Sequence, residues 1–156
     1  MKKLAVALTV AIAAVAATSA FGSSKATIDT GNTSLGTALV NSQAHTLYLF
    51  EGDTQTHLGC TGQCLSSWTP VTGKATVSGS AKASEVGTIK RGSGSQLTYG
   101  GHPLYTFAGD TKAGQVTGQG LTLSGHKWYV ISPSGAAMTA SSKGSSSGGG
   151  SKPTGW

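Results

Sequence analysis

Apolar positions in this chain come in short runs separated by Gly, Ser, Thr and Asn, the pattern of strands joined by tight turns. Residues 35–40 predict one strand, 41–44 a turn, and 45–50 the returning strand. Side chains of a strand alternate between its faces, so Tyr48 and Phe50 share one side while Leu47 and Leu49 share the other. Both faces are apolar, which predicts a strand covered on both sides. Residues 51–54 (Glu, Gly, Asp, Thr) read as a turn in which Gly52 admits a positive φ and Asp53 or Thr54 bonds nearby backbone. Residues 65–68 predict one helical turn starting near Cys64 and stopped by Pro70. A small-residue, polar connection follows over 74–83, then a short helical turn over 83–86 and a hairpin of 87–91 with 95–99 around Gly92, Ser93 and Gly94. Residues 103–107 and 127–132 are further strands, and 136–139 return beside the second of these after a turn at 133–135.

The pattern is duplicated. His-x-Leu-Tyr-x-Phe-x-Gly-Asp-Thr occurs at 45–54 and again at 102–111. Farther on, residues 61–65 (Thr, Gly, Gln, Cys, Leu) align with 117–121 (Thr, Gly, Gln, Gly, Leu). The reading is two related units, about 35–73 and 84–135, within one duplicated β domain over 35–140, with 21–34 as a polar lead-in. Cys60 and Cys64 have no counterparts, because Val116 and Gly120 stand in their places. An activity built on the cysteines would therefore exist in one unit only.

The ends change the picture of destination. Lys2 and Lys3 precede an apolar run over 4–17, and small residues at 18–20 suit a signal peptidase, so 1–20 reads as a signal peptide. The apolar run is shorter than the roughly 20 residues that span a bilayer. Cleavage leaves about 136 residues, enough for one domain, soluble, without a stable membrane anchor and monomeric. From Ser141 to 156 the chain is mostly Ser, Gly and Lys, the composition of a flexible tail, with a terminal Trp156 of unassigned role. The formal charge of +6 includes the two lysines of the leader. The remaining basic residues are scattered, with a single arginine, Arg91, which argues against a nucleic-acid partner. The expected location is the periplasm or the medium, with a partner that the sequence leaves unnamed.

The candidate chemistry is sparse. Cys60 and Cys64, in an exported chain, read as a disulfide that closes a small loop, a local staple of roughly 2 kcal/mol. Tyr48, Phe50 and Asp53, with Tyr105, Phe107 and Asp110, read as packing hardware. The aromatics fill a sheet face, the aspartate orders the turn, and the buried tyrosine hydroxyl finds a partner, for which the aspartate beyond the turn is a candidate. The competing reading is a metal or thiol redox site drawn from His45, Asp53, His57, Cys60, Cys64, His102, Asp110 and His126. None of these makes a short metal-ligand spacing, and no Gly-x-Ser-x-Gly elbow or phosphate-binding loop is present. No catalytic, cofactor or metal residue is assigned.

The duplicated Tyr-x-Phe-x-x-Asp, with Cys-x-x-x-Cys and Trp68-x-Pro70 after the first copy, resembles a bacterial family of secreted-repeat lipoproteins marked by Tyr-x-(Phe/Trp/Tyr)-x-x-Asp. Residues 86–91, 101–105 and 128–133 also look like family segments, and the resemblance spans about 36–135. Many members carry a lipid-modified cysteine, which this chain lacks. The resemblance implies architecture and export but no established activity. The expected fold is mainly β, two antiparallel β repeats packed as one compact domain, sandwich or small barrel, with short helical turns. The expected function is a secreted, non-enzymatic envelope or extracellular binding or scaffold module. An extracytoplasmic metal-binding or thiol redox protein is the alternative.

Overall fold

The computed structural model describes residues 26–139, and its secondary structure is almost entirely β. The expected signal peptide and the Ser/Gly-rich tail with Trp156 lie outside the described residues. The first unit opens with a hairpin of β1 (Ala26–Thr33) and β2 (Gly36–Val40), paired from Asp29↔Val40 to Thr33↔Gly36. The second opens with the equivalent hairpin of β6 (Val86–Arg91) and β7 (Gly94–Tyr99). After each comes a short strand carrying the Tyr-x-Phe pattern, β3 (Tyr48–Phe50) and β9 (Tyr105–Phe107). Each unit then supplies a tryptophan-bearing strand, β4 (Trp68–Pro70) and β11 (His126–Val130). Strands β5 (Ala75–Val77), β8 (His102–Pro103) and β10 (Thr122–Leu123) complete the set.

Three sheets result, in the orders β2-β1-β5, β10-β11-β3-β9-β4 and β6-β7-β8. At the centre of the largest, β3 and β9 run antiparallel with Tyr48 opposite Tyr105. The strands outside them are exchanged between units. β11 of the second unit pairs with β3 of the first, Trp128 opposite Phe50 and Val130 opposite Tyr48. β4 of the first pairs with β9 of the second, Trp68 opposite Phe107 and Pro70 opposite Tyr105. A Trp–Phe pair recurs in the same register on both sides of the Tyr48–Tyr105 pair, with Val130 in one place and Pro70 in the other, so the two units are related by an approximate twofold axis.

The exchange recurs in two rings of backbone hydrogen bonds. Leu39 N–H donates to Ile131 O (2.9 Å), Ile131 N–H to Leu47 O (3.2 Å), and Leu47 N–H to Leu39 O (2.9 Å). The twin ring runs from Leu97 to Val71 (2.7 Å), Val71 to Leu104 (2.9 Å) and Leu104 to Leu97 (3.0 Å). Each ring takes two members from one unit and its third, Ile131 or Val71, from the other. These residues are buried in one aliphatic core, together with Ile28, Leu49 and Tyr99. A second core on the opposite face of β3 and β9 is aromatic, built on Tyr48, Phe50, Trp68, Tyr105 and Trp128. The expectation that the 45–50 strand is covered on both faces therefore holds: Leu47 and Leu49 enter the first core, Tyr48 and Phe50 the second.

Three local expectations are revised. Residues 26–33, placed in the polar lead-in, form the longest strand, because their backbone is held in a ladder by β2 and by the parallel strand β5. β5 itself lies inside the 74–83 segment read as a connection. The helical turn expected over 65–68 is instead a 3-10 turn over Gly62–Ser66, and Trp68–Pro70 is extended. Pro70 ends no helix. It sits on a strand at the end of its sheet, where its missing N–H breaks no ladder. The short turn at Ala83–Glu85 and the hairpin around Gly92–Gly94 are found where the sequence places them.

Candidate functional site

The site grows from the turn after each central strand. Phe50 and Phe107 fold back over the glycine two residues on. A Cβ at Gly52 would lie 2.4 Å from Phe50 Cε1, and one at Gly109 would lie 2.4 Å from Phe107 Cε1. Gly52 has no positive φ, so its part is to leave room for the ring and not, as expected, to adopt a left-handed backbone. The turn closes when the aspartate N–H donates to the phenylalanine carbonyl, at 3.1 Å in both units. Each carboxylate is thereby brought inside, with Asp53 8% and Asp110 3% exposed.

Each carboxylate then joins the other unit. Tyr48 donates its hydroxyl to Asp110 Oδ2 at 2.5 Å, and Tyr105 donates to Asp53 Oδ2 at 2.7 Å. The tyrosine's partner is thus an aspartate beyond the turn, as the residue types suggest, but the one belonging to the opposite repeat. Hydrogen bonds to an ionised acceptor at these distances are the strong ones. The remaining oxygens bind their own loops. Asp53 Oδ1 accepts from the N–H groups of Gly59 (2.6 Å) and Cys60 (3.3 Å). Asp110 Oδ1 accepts from Thr117 N–H (2.9 Å) and Thr117 Oγ1 (2.6 Å). A threonine hydroxyl supplies in the second unit what a second backbone donor supplies in the first.

Cys60 and Cys64 form the expected disulfide, with Cα atoms 5.4 Å apart. It closes the loop that presents Gly59 and Cys60 to Asp53, so the staple and the clasp are parts of one assembly. Arg91 ties them together. Its Nη2 donates to Tyr105 Oη (2.7 Å), its Nη1 to Cys60 O (3.1 Å) and its Nε to Gln96 Oε1 (2.6 Å). Buried Gln96 donates in turn to Leu104 O at 2.8 Å. On the other side Tyr48 Oη accepts only a long bond from Gly118 N–H, 3.3 Å. Burial, reinforced by the neighbouring aspartate, pushes both tyrosine hydroxyls well above their ordinary range, and for Tyr105 the Arg91 charge opposes this in part.

Between the clasps lies a column of rings in the order Phe50, Trp128, Trp68, Phe107. The two indoles stack at 3.6 Å between centroids and 3° between planes, and each outer phenylalanine lies 4.5 Å from its indole. Register explains the order, because Trp128 is the cross-strand neighbour of Phe50 and Trp68 that of Phe107. Tyr48 meets Trp68 edge-on at 5.3 Å, and Tyr105 meets Trp128 at 5.0 Å. Trp128 Nε1 is the only buried side-chain polar atom among the described residues without a hydrogen-bond partner. Gly118 lets the column close, since a Cβ there would lie 2.7 Å from Trp68 Cη2.

The histidines are dispersed. His57 and His126 are exposed, while His45 and His102 are half-buried. Burial lowers the pKa of His102, opposed by the charge of Asp53. Among the described residues no three of the His, Cys, Asp and Glu side chains group closely enough to hold a metal ion. Recesses open at the surface among the described residues. One of about 340 Å³ is lined by polar groups including Gln55, Glu85, Thr88 and Thr98, and one of about 240 Å³ lies beside Trp68, Cys64, Gln63 and Leu123.

Sequence reasoning brought Tyr48, Phe50, Asp53, Trp68, Tyr105, Phe107 and Asp110 together as a set, and they do converge on this core. It missed Arg91, Gln96, Thr117 and the stacking role of Trp128. The recurrence of Gly at 52 and 109 was the available signal for the folded-back phenylalanines. Arg91, the single arginine of the chain, was available too, but it lies far in sequence from Asp53. No helix among the described residues is long and apolar enough to cross a membrane. No curated protein and no solved structure matches the chain. The model of the family described as a secreted repeat of unknown function matches residues 29–72 and 87–132, more than half of the sequence and one segment per unit, and the chain belongs to that family.

Proposed function

We propose that the protein works outside the cytoplasm as a non-enzymatic module, a rigid binding or scaffold element of the envelope or the surrounding medium, operating as a single chain. The observation that carries this reading is the fate of the family motif. Its tyrosines and aspartates are buried and occupied by one another across the repeat boundary. Bond-making chemistry on a substrate requires reactive groups that it can touch, whereas these groups lock two halves of a fold. What remains for recognition is the outer surface, including the polar recess of hydroxyl, amide and carboxylate groups around Gln55, Glu85 and Thr98.

Protein recovered from periplasm or medium tests the proposal by metal analysis and thiol titration. The expected result is no stoichiometric transition metal and no thiol until the chain is unfolded in reductant. Stoichiometric copper, iron or zinc, or a disulfide reduced readily in the native state, would overturn it in favour of a metal or thiol redox protein.

A further inference from the structure

The aromatic core has a property that packing alone does not require. One indole, Trp68, with Trp128 stacked behind it, connects a surface recess to a tyrosine whose proton already has an acceptor. Trp68 is 5% exposed and lines the recess of about 240 Å³ beside the disulfide. Behind it lies Trp128, and edge-on to it lies Tyr48, whose hydroxyl points at the carboxylate of Asp110. We infer that this core is a one-electron relay, in which an oxygen-centred organic radical at the recess takes an electron from Trp68 and the hole settles on Tyr48 as its proton passes to Asp110.

The geometry specifies the order of events. A stacked indole pair shares a positive charge over two rings, so the first loss is eased at Trp68 and Trp128. Trp128 cannot complete the oxidation by shedding its N–H proton, because Nε1 has no acceptor. A cation held in a dry core is costly. Tyr48 avoids that cost. As its electron fills the hole on Trp68, its hydroxyl proton passes to Asp110 Oδ2 within a hydrogen bond whose oxygens are 2.5 Å apart. The products are a neutral tyrosyl radical and a neutral carboxylic acid. The incoming radical gains one electron and leaves as its anion, the Tyr48–Asp110 pair loses one electron, and no atom leaves the protein.

The two clasps differ in their fitness for this step. Tyr105 also has a carboxylate acceptor, but the Arg91 guanidinium donates to its oxygen at 2.7 Å and places a positive charge against any developing hole. Tyr48 has only the neutral Gly118 N–H at 3.3 Å. The asymmetry between nearly identical repeats therefore sends the hole to the first unit's tyrosine. Both cysteines are held in the disulfide, so no thiol competes among the described residues.

The test is flash oxidation of the intact secreted chain with a photogenerated ruthenium(III) polypyridyl complex, read by transient absorption and electron paramagnetic resonance. A tryptophan radical cation should form first and decay into a tyrosyl signal, more slowly in D2O. The tyrosyl signal should be lost in Tyr48→Phe and retained in Tyr105→Phe and in Tyr129→Phe. Persistence of the signal in a folded Tyr48→Phe variant, or indole oxidation with no tyrosyl in the unaltered chain, would overturn the inference. High-field resonance on the unaltered protein reads the same point without mutation. Neutral hydrogen bonds on the radical oxygen identify Tyr48, and a guanidinium-bonded radical would identify Tyr105 and refute the assignment.

Discussion

Tyr48→Phe removes one oxygen atom from a site where nothing else can replace it. The ring remains in its contacts with Trp68, but Asp110, 3% exposed, keeps its charge and loses the donor on Oδ2. A hydrogen bond to a charged group contributes about 1.5–3 kcal/mol, and water cannot reach the vacated lone pair, so the upper half of that range is expected. Asp110→Ala strands more: the Tyr48 hydroxyl together with the Thr117 N–H and hydroxyl. Its expected cost is about 3–5 kcal/mol, from three donors left unsatisfied at about 1–3 kcal/mol each, less what water entering the vacated space restores. In the Asp110→Ala background the hydroxyl of Tyr48 is an orphan, so deleting it there should be neutral or stabilising. A double-mutant cycle by urea denaturation should therefore show a coupling energy of about 1.5–3 kcal/mol. In melting temperature the single Tyr48→Phe change should lower the midpoint by roughly 4 °C per kcal/mol for a domain of this size. Additivity of the two changes within about 0.5 kcal/mol would refute the crossed clasp as a source of stability.

Gly109→Ala drives a methyl group into Phe107 and should lower stability by about 1–3 kcal/mol, read by the same denaturation, with Gly52→Ala behaving as its twin. Both clasp tyrosines have folded pKa values raised above the unfolded value near 10, so the unfolded chain releases their protons first as pH rises. Stability is then fully present below about pH 10 and should fall above it by about 1.4 kcal/mol per pH unit for each tyrosine; Tyr48→Phe should halve that slope. Breaking the disulfide with Cys60→Ser and Cys64→Ser together should cost about 2 kcal/mol without abolishing the fold, since β4 and the clasp at Asp110 remain; complete unfolding would show that the staple holds far more than its loop. Chains cut to 26–79 or 80–139 should each be unfolded by circular dichroism and amide dispersion, because neither contains a complete backbone ring.

Much of this was visible along the chain, and for identifiable reasons. Alternation in 45–50 and the repeat at 102–111 are local signals, and they place β3, β9 and both aromatic motifs correctly. The hairpin around Gly92–Gly94 is likewise written in short-range turn residues. Failures came where a distant partner decides. β1 is polar by composition and becomes a strand because β2 and β5 take up its backbone groups on either side. Trp68 reads as the end of a helical turn until β9 offers it a ladder and Phe107 a ring face. The clasp residues were recognised as a set, but sequence order assigns Asp53 to its near neighbour Tyr48, whereas the fold hands it to Tyr105 across 52 positions. Arg91 was missed for the same reason, its targets being Cys60 on one side and Tyr105 on the other.

The exchange of β4 and β11 bears on how such a protein can arise. A lone repeat would end in a tryptophan strand with no place in its own half, and its aspartate would face no tyrosine. Two separate copies could satisfy each other by lending that strand, making as a pair of chains what is here a single polypeptide. Joining them end to end adds little beyond the segment over 72–86, and it frees the twins to diverge. Arg91 and the disulfide stand on one side only, without disturbing the shared frame. The folded unit therefore counts repeats in twos, and a variant gaining a third would carry one strand with nowhere to go except into another molecule.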